Sequence, residues 1–330
     1  MIIFIIHNKG KLNGAKKISN EIIDLAKKNN IEYKISPYPH DFKYYLIVWF
    51  IIEYFNFFCF HIKYSYKGNK IYFSGSNNTL GFLKDLPLIL FLNILCRKQK
   101  KIVHFHSSTI KLSKYLSKFF TLVYKKWTHI YLGQNLLPTI IPKKYHIINN
   151  YVNFPLKIIE EKNYEKINIG YYGNIVGFKG IYDYNKIAQK LNKDDFLTFY
   201  SAGIGDERII NNKIKHLGEL INTKEKVKYL SSIDILVYPS YWDAQPLSIL
   251  EAFHCNTAVI CYDTGTISEM LPTKKDILQM GDIDGICKRI EFYKKNLKSL
   301  DEAKFKNNHQ IINKFNKDNF IHNVENFIFK

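Results

Sequence analysis

"DILVYPSYWDAQPLSILEAFHCNTAVICYD", residues 234–263, is the stretch that decides the fold. Its first seven residues form a short apolar run that predicts a buried strand, and "TAVICYD" (Thr257–Asp263) predicts a second strand. Between them, Pro246–Cys255 has the apolar spacing of a helix, with Pro246 in the first turn, where a missing N–H is no loss. A strand, a helix and a strand in this order predict part of a parallel sheet covered by helices.

The loop of this unit carries one acid, Asp243, and the helix carries another, Glu251. Ligands of open parallel sheets bind at the carboxyl ends of strands, and a helix N-terminus attracts anions. We therefore expect Glu251 to accept from ribose hydroxyls and a diphosphate to bind the backbone N–H groups of Ala244, Gln245, Leu247 and Ser248. On this segment alone, an alternative remains: Asp243 caps the helix and Glu251 is solvated.

The rest of the chain repeats the alternation of strands and helices. Strands are predicted at Ile2–Ile6, Glu32–Ser36, Lys70–Ser76, Lys101–Ser107, Lys166–Gly173 and in "FLTFYSA", and helices at Ala15–Asn29, Lys111–Trp127, Tyr182–Leu191 and in "LKDLPLILFLNILCRKQ". A polar stretch, "NNYVNFPLKIIEEKNYEK", reads as a linker. The chain is thus predicted to form two doubly wound α/β domains, 1–153 and 154–330, with a cleft between them and a final helix that is a candidate to pack back on the first.

The charge of the chain is concentrated in its first half. Residues 1–150 hold 23 Lys and Arg against 6 Asp and Glu, a net charge of +17, whereas residues 151–330 have a net charge of +2. This asymmetry indicates an anionic partner, either nucleic acid or an anionic membrane surface, and a solvated basic face is the alternative. Tyr and Phe lie mostly in apolar runs and do not interleave with basic residues, so we expect a membrane surface rather than nucleic acid.

One segment, Tyr44–Ile62, is apolar over a length that approaches a transmembrane span. A span here would split the first sheet, and the interior Glu53 and Asn56 would be costly in lipid. We expect a helix that is buried or partly inserted into a membrane interface, flanked by Lys43, Lys63 and Lys67.

Cysteine usage and the N-terminus indicate a cytoplasmic protein. The five cysteines are odd in number and show no CxxC spacing, so they are expected to be reduced, and "MIIFIIHNKG" lacks the basic region and cleavage site of a signal peptide. No metal-ligand spacing is found, and no cofactor is predicted. In "GDIDG" (281–285), Asp284 is expected to cap a helix rather than to bind a metal.

Around the opening stretch, the chain resembles the retaining glycosyltransferases of family 4, which have the GT-B fold. The resemblance rests on the acid-x7-Glu spacing of Asp243 and Glu251, followed by "TAVICYDTGTISEML". It extends to "GNIVGFKG" (173–180), "YSAGIG" (200–205), "IINNYVN" (147–153), "KLNG" (11–14) and the histidine that ends "KIVHFH" (101–106). The motifs follow the family order through nearly the whole chain, and those of the second half are the more specific.

The resemblance implies transfer of a sugar from a nucleotide-diphosphate donor, UDP-sugar favoured over GDP-sugar, to a lipid-linked or surface-glycan acceptor. It implies metal-independent activity in bacterial polysaccharide, lipopolysaccharide or capsule assembly, at the inner face of the cell membrane. Asp243 would hold donor-sugar hydroxyls, and His106 would contact the donor sugar or the acceptor. Lys179, Gly173, Asn174, Gly14 and the helix N-terminus would surround the diphosphate.

Some positions depart from the family pattern. Asp243 replaces the usual glutamate, and Asn174 replaces an arginine that assists Lys179. Asn256, Ala258 and Thr266 replace a turn glycine, a proline and a second loop glycine, and Asn256 is expected to adopt the left-handed conformation. These departures keep a non-catalytic nucleotide-sugar binder as an alternative. His106 also has an alternative, a hydrogen-bonded core histidine, and His104 is expected on the opposite side of its strand.

Overall fold

The computed structural model describes residues 1–6, 14–38, 47–64, 69–76, 79–106, 114–155 and 164–330. By its internal contacts, the chain divides into two compact units. The first unit comprises residues 1–149 together with 320–330, and the second comprises residues 150–319.

The first unit is built on a six-stranded sheet in which every pair of neighbours is parallel. The strand order is β2-β1-β3-β4-β5-β6. The strands are short, and nearly all residues of the four central ones are buried because helices cover both faces of such a sheet. They are β1 (Ile2–Ile5), β2 (Tyr33–Ser36), β3 (Lys70–Gly75), β4 (Lys101–Phe105), β5 (Thr128–Tyr131) and β6 (Tyr145–Ile147).

Four helices connect these strands: α1 (Gly14–Lys28), α2 (Ile47–Tyr64), α3 (Thr79–Leu95) and α4 (Lys114–Val123). Helices α2, α3 and α4 pack side by side. The rings of Phe58 and Phe91 lie 4.5 Å apart between α2 and α3, and those of Phe82 and Phe120 lie 5.0 Å apart between α3 and α4. The chain end also belongs to this unit, where the ring of Phe327 stacks on His146 at 3.9 Å.

Helix α2 occupies the apolar segment singled out in the sequence, of which residues 44–46 lie outside the described part, as do Lys43 and Lys67. Glu53 and Asn56 lie within it. In the part of the chain that the structure describes, no helix combines the length and apolar character needed to cross a membrane.

The second unit is another six-stranded parallel sheet, in the order β12-β11-β10-β7-β8-β9. Its strands are β7 (Ile167–Tyr172), β8 (Leu197–Ala202), β9 (Ile214–His216), β10 (Ile235–Tyr238), β11 (Ala258–Tyr262) and β12 (Ile277–Leu278). Its helices are α5 (Ile181–Leu191), α6 (Thr223–Ser232), α7 (Leu247–His254), α8 (Ile267–Met270), α9 (Ile283–Lys295) and α10 (Leu297–Asn313), and α11 (Lys317–Val324) leads back to the first unit. The predicted fold class, two doubly wound α/β domains, is confirmed.

Some local predictions need correction. Helix α4 ends at Val123 rather than Trp127, and α3 ends at Leu95 rather than Gln99. The cap of α9 is Asp282, whose carboxylate accepts from the backbone N–H of Gly285 at 2.8 Å. Asp284 lies in the first turn of that helix and pairs with Lys190 instead, so its assignment as a cap was wrong. The left-handed conformation expected of Asn256 is confirmed, with φ 56°.

Candidate active site

The strand order of the second sheet reverses between β7 and β10. From β7 the chain continues outward to β8 and β9, while β10, β11 and β12 extend the other way. The loops that leave the carboxyl ends of β7 and β10 therefore diverge and form a crevice, which is where ligands of doubly wound sheets bind. These loops carry "GNIVGFKG" and "YWDAQP", the two motifs that the sequence indicated.

An ion pair joins the two loops. The Nζ atom of Lys179 lies 2.6 Å from Oδ2 of Asp243 and also donates to the backbone carbonyl of Trp242 at 3.1 Å. Both charged side chains are about one-fifth exposed, so the pair lies in a partly shielded place that a ligand can still reach. Two residues that the sequence predicted separately, on the family resemblance, are thus brought into direct contact.

Two hydroxyl groups also donate hydrogen bonds to the Asp243 carboxylate. Tyr238 donates to Oδ2 of Asp243 at 2.5 Å, and Ser240 donates to the same oxygen at 2.8 Å. Burial raises the pKa of Tyr238 well above its usual value, and the negative charge of Asp243 raises it further, so the phenol stays protonated and remains a donor. Lys179, Tyr238 and Ser240 thus all bind the same carboxylate oxygen, Oδ2.

Glycines allow the site loops to approach one another closely. Gly180 has φ 80°, and a Cβ there would lie 1.9 Å from the carbonyl oxygen of Pro239, so only glycine fits beside the β10 loop. Gly265 has φ 58°, and its Cβ would lie 2.3 Å from the carbonyl oxygen of Asp243. Thr266, which replaces the second family glycine, donates its backbone N–H to the carbonyl of Ala244 at 2.8 Å. The loop after β11 therefore supports the backbone that carries the acid.

Tyr171 holds the turn of the "GNIVGFKG" motif in place through hydrogen bonds. Its hydroxyl group donates to the carbonyl of Asn174 at 2.7 Å and lies 3.3 Å from that of Lys179. Gly173 precedes this turn, and a Cβ on Gly203 would lie 1.8 Å from its carbonyl oxygen, so the "YSAGIG" loop also closes on the site. Asn174 lies at the start of the turn, where its side chain supplies no positive charge, and its place beside a diphosphate stays a prediction.

Helix α7 begins at Leu247, with Pro246 as its N-cap residue. Leu247 and Ser248 therefore occupy the first turn, where backbone N–H groups have no carbonyl partner within the helix. The Ser248 side chain is hydrogen-bonded to the Tyr238 hydroxyl. Asp243 is not the N-cap, so that alternative was wrong. Gln245 has a structural task as well, because its side-chain oxygen accepts from the backbone N–H of Asn150 at 2.5 Å.

Glu251 is buried, with only 5% of its surface exposed. It is hydrogen-bonded to the hydroxyl of Tyr172, the last residue of β7, whose pKa is raised by burial and then by this carboxylate. The alternative of a solvated glutamate is therefore wrong. The Tyr172 hydroxyl gives this buried carboxylate the hydrogen bond that burial requires, and its contact with a ribose stays a prediction.

The two predicted site residues of the first unit are less fully described. Gly14 opens α1 and is exposed, while residues 7–13 of the loop before it lie outside the described residues. His106 follows β4, and its ring lies 3.9 Å from that of His104. The expectation that these rings lie on opposite sides was wrong, because residues two apart in a strand share a face. Nδ1 of His104 and the Tyr72 hydroxyl are hydrogen-bonded at 2.7 Å. Burial, and to a lesser extent the neighbouring His106, lower the pKa of His104 well below its usual value.

Sequence reasoning missed a second layer of the site. The carboxylate of Asp183, on α5, accepts from Tyr241 at 2.5 Å and from Tyr262 at 2.8 Å, and so ties the acid-bearing loop to the sheet. Tyr171, Tyr172 and Tyr238 were missed because a tyrosine at the end of an apolar strand is typical of a core position. Within the described residues, no group of three or more His, Cys, Asp or Glu side chains is arranged to hold a metal ion; metal independence stays a prediction.

Comparison with known proteins supports this description. A family model described as "Glycosyl transferases group 1" matches residues 166–294, which lie within the second unit and hold most of the site. TuaC of Bacillus subtilis strain 168, named as a teichuronic acid biosynthesis glycosyltransferase, is 26% identical over 108 residues. That alignment covers 33% of this chain and 28% of TuaC, so the chain matches less than a third of this curated relative.

Solved structures show the fold over a greater length. HepE of Anabaena, in complex with UDP-glucose, has a TM-score of 0.69 at 12% identity, covering 99% of each chain. A variant of S. aureus TarM, in complex with fondaparinux, α-GlcNAc-glycerol and UDP, has a TM-score of 0.62 at 16% identity, covering 82% of this chain and 57% of TarM. The two parallel Rossmann-like units and these neighbours show that the chain has the GT-B fold.

Proposed function

We propose that the protein is a retaining glycosyltransferase of the family 4 type. It would move a sugar from a nucleotide-diphosphate donor, UDP-sugar rather than GDP-sugar, to a lipid-linked or surface-glycan acceptor in bacterial polysaccharide, lipopolysaccharide or capsule assembly. The observation that carries this proposal is the ion pair of Lys179 and Asp243 at the strand-order reversal of the second sheet. The buried Glu251 on the adjoining helix supports it.

The roles follow from charge. The donor diphosphate would bind the Lys179 ammonium group in exchange for part of its contact with Asp243, together with the N–H groups at the start of α7 and the turn at Gly173 and Asn174. As the bond to the anomeric carbon breaks, negative charge grows on the leaving diphosphate, and these fixed donors stabilise it. No metal or cofactor is required by this scheme. Asp243 would hold donor-sugar hydroxyls through Oδ1, without acting as a nucleophile, because front-side attack needs none.

The donor and the pathway class are supported by the relatives. HepE and TarM have been solved with UDP or UDP-glucose, and TuaC is named for teichuronic acid biosynthesis. Glu251 would receive the ribose hydroxyls of such a nucleotide, with Tyr172 holding the carboxylate in place. His106, from the first unit, would contact the donor sugar or the acceptor.

The same proposal places the protein at the inner face of the cell membrane. Exposed apolar side chains from the three adjacent helices of the first unit support it, namely Ile51, Phe55, Leu80, Ile94 and Leu122. The basic first half supports it too, because anionic lipid attracts lysine side chains near the surface.

Thermal unfolding with nucleotides tests the donor site. A matching nucleotide at about 100 times its Kd is expected to stabilise the folded chain by roughly 2.7 kcal/mol. UDP and UDP-sugars should raise the Tm more than GDP and GDP-sugars do. If no nucleotide raises the Tm, the proposal fails; if guanosine compounds act more strongly, only the choice of base is wrong.

A non-catalytic sugar-nucleotide binder is the second candidate, favoured by Asn174 in place of the family arginine and by the shorter acid Asp243. The two candidates differ in turnover. A transferase should release UDP from a UDP-sugar in the presence of acceptor or water, and Asp243→Ala should reduce that release by about 100-fold or more, as losses of key electrostatic groups do. Equal release by wild type and Asp243→Ala would favour the binder.

A further inference from the structure

A cavity of about 400 Å³ opens in the first unit, and its lining residues do not include any residue of the candidate site. It lies between the second half of α4 and the segment of residues 138–143, which leads into β6. Its volume is within the range of small-molecule pockets, roughly 300–1,000 Å³. The lining residues are Lys118, Phe120, Thr121, Leu122, Tyr124, Lys125, His129, Pro138, Ile140, Ile141, Pro142 and Lys143.

The interior of the cavity is apolar and uncharged. Phe120, Tyr124 and His129 are buried in its wall, and Ile140 and Pro142 come from the facing segment. Burial lowers the pKa of His129 to about 4 and raises that of the Tyr124 phenol well above its usual value, so both rings are neutral near pH 7. Such a wall suits a hydrocarbon group, since burying one removes apolar surface from water on both sides.

Positive charge surrounds this apolar interior. Lys118, Lys125 and Lys143 line the cavity and are exposed, so their ammonium groups can reach the solvent at its mouth. The sequence has no Asp or Glu between Asp85 and Glu160, so no acidic side chain of the surrounding stretch neutralises these lysines. The cavity therefore complements a ligand that has an apolar tail and an anionic head.

The surface beside the cavity narrows the choice of ligand. Leu122 is 64% exposed, and Ile140 and Ile141 are also exposed, although all three line the cavity. A mouth with exposed aliphatic side chains and lysines is typical of a contact with a lipid surface, where apolar groups enter the acyl region and lysines stay at the phosphates.

We propose that this cavity binds an acyl chain of an anionic phospholipid, with Lys118, Lys125 and Lys143 at the lipid phosphate. The cavity lies where the chain enters β5 and β6, whereas ligands of doubly wound sheets bind at the carboxyl ends of the strands. The bound lipid therefore serves as a membrane anchor rather than as the sugar acceptor. The inference deepens the membrane part of the proposed function and does not depend on the donor site.

Binding of soluble lipids to the full chain tests it. Dioctanoylphosphatidylglycerol, used below its micelle concentration, should bind, while glycerol phosphate and dioctanoylphosphatidylcholine should bind at least about ten-fold more weakly, because the first lacks the tails and the second lacks net charge. Isothermal titration calorimetry gives the three affinities. Equal binding of glycerol phosphate would reduce the site to a phosphate site, and equal binding of the choline lipid would remove the role of the lysines; either result overturns the proposal.

Variants locate the site. Lys118→Ser with Lys125→Ser should weaken binding of the glycerol lipid by roughly five-fold per lysine, the effect of about 1 kcal/mol each. Lys27→Ser with Lys28→Ser is the matched control, since these lysines are also exposed, in the last turn of α1, and do not line the cavity. Equal losses in the two pairs would indicate general attraction and contradict a built site.

A second variant keeps the charge and changes the tail contact. Ile140→Ser with Ile141→Ser replaces exposed side chains, so the fold should persist, and the preference for dioctanoyl over dihexanoyl lipid should shrink. An unchanged chain-length preference overturns the proposal. The increase in Tm that UDP causes should be the same in every variant as in wild type. If UDP does not raise the Tm of the wild-type chain, that result contradicts the donor site and not the lipid site.

Discussion

At the scale of single residues, Lys179 and Asp243 neutralise each other in the absence of ligand. Because Asn174 stands where the related family has arginine, Lys179 is the residue that matches the remaining cation of the family's diphosphate pair. Its ammonium group already has two partners, the carboxylate and the carbonyl of Trp242. Under the proposed function, nucleotide binding would exchange one set of hydrogen bonds of Lys179 for another, and its free energy would be the difference between the two.

Lys179→Gln is expected to weaken UDP binding by about ten-fold or more, since a hydrogen bond to a charged group contributes about 1.5–3 kcal/mol. Titration of UDP into the variant measures this. Lys190→Gln is the matched control, because Lys190 pairs with Asp284 at 2.5 Å on the surface of the same unit. Similar losses in both variants would show that Lys179 has no specific role in nucleotide binding.

The sequence allowed the charged residues of the candidate site to be predicted, but not the residues that form hydrogen bonds with them. Asp243, Lys179 and Glu251 could be predicted because the family spacing marks them. Tyr238 could not be distinguished from a core tyrosine, since its hydroxyl bond to Asp243 depends on the path of the loop between them. The prediction that His104 faces away from His106 was wrong for a different reason. Side chains two residues apart in a strand lie on the same face, so the strand period itself places the two rings together.

At the scale of elements, the loop after β11 sets the position of the acid-bearing loop. Gly265 and Gly218 both have positive φ, 58° and 73°, but only Gly265 is crowded: its Cβ would lie 2.2 Å from the carbonyl oxygen of Ala244, whereas a Cβ on Gly218 meets nothing within 4 Å. Substitutions at these two glycines therefore distinguish the cost of a left-handed backbone from the cost of a steric clash.

Gly218→Ala is expected to cost about 1 kcal/mol of unfolding free energy, the effect of the left-handed conformation alone. Gly265→Ala should cost at least about 2 kcal/mol more, and should also reduce turnover, because Asp243 must shift. Urea denaturation and UDP release measure the two effects. Equal destabilisation by both substitutions would mean that the loops can separate freely.

Helix α7 also carries a buried histidine, His254, whose pKa is lowered to about 4 by burial. The unfolded chain takes up a proton near pH 6.5, which the folded chain does not, so stability falls as the pH drops from about 6.5 towards 4. Between pH 7 and pH 5 this histidine should account for about 2 kcal/mol of the loss.

His254→Leu should therefore reduce the decline in unfolding free energy between pH 7 and pH 5, as measured by urea titrations at both values. His309→Leu, a substitution of an exposed histidine on α10, serves as the control and should leave the decline nearly unchanged. A decline of wild-type size in His254→Leu would mean that the imidazole gains its proton without cost.

At the scale of the whole molecule, net positive charge is concentrated in the first half of the chain, where helices α2, α3 and α4 also expose apolar side chains. Leu80 and Ile94 on α3 are 81% and 69% exposed. Leu80→Gln with Ile94→Gln should reduce binding of the full chain to vesicles in which a third of the phosphatidylcholine is replaced by phosphatidylglycerol, by about ten-fold, since each loses apolar surface for the interface. Co-sedimentation measures the bound fraction.

Phe305→Gln with Ile312→Gln is the control, because these side chains are also more than half exposed, on α10 of the second unit. It should leave vesicle binding unchanged, and added salt should weaken binding of all variants by screening the lysines. Equal losses in the two pairs would contradict a membrane-facing surface on the first unit.

The fold itself could be predicted at this scale because strand and helix periods differ, and their alternation along the chain specifies parallel sheets. The strand order could not be predicted, because the spacing of apolar residues does not show on which side of β7 the strand β10 lies. The site depends on that order: the reversal between β7 and β10 is what brings Lys179 to Asp243.

The last residues of the chain, 320–330, belong to the first unit, where Phe327 stacks on His146 and the backbone carbonyl of Phe329 accepts from Lys70. During synthesis on the ribosome, the first unit therefore emerges early but cannot be completed until residues 320–330 have been made. The second unit has all of its residues before that moment. The unit that is made first is thus completed after the second, and a truncation before residue 320 would damage the unit at the other end of the sequence.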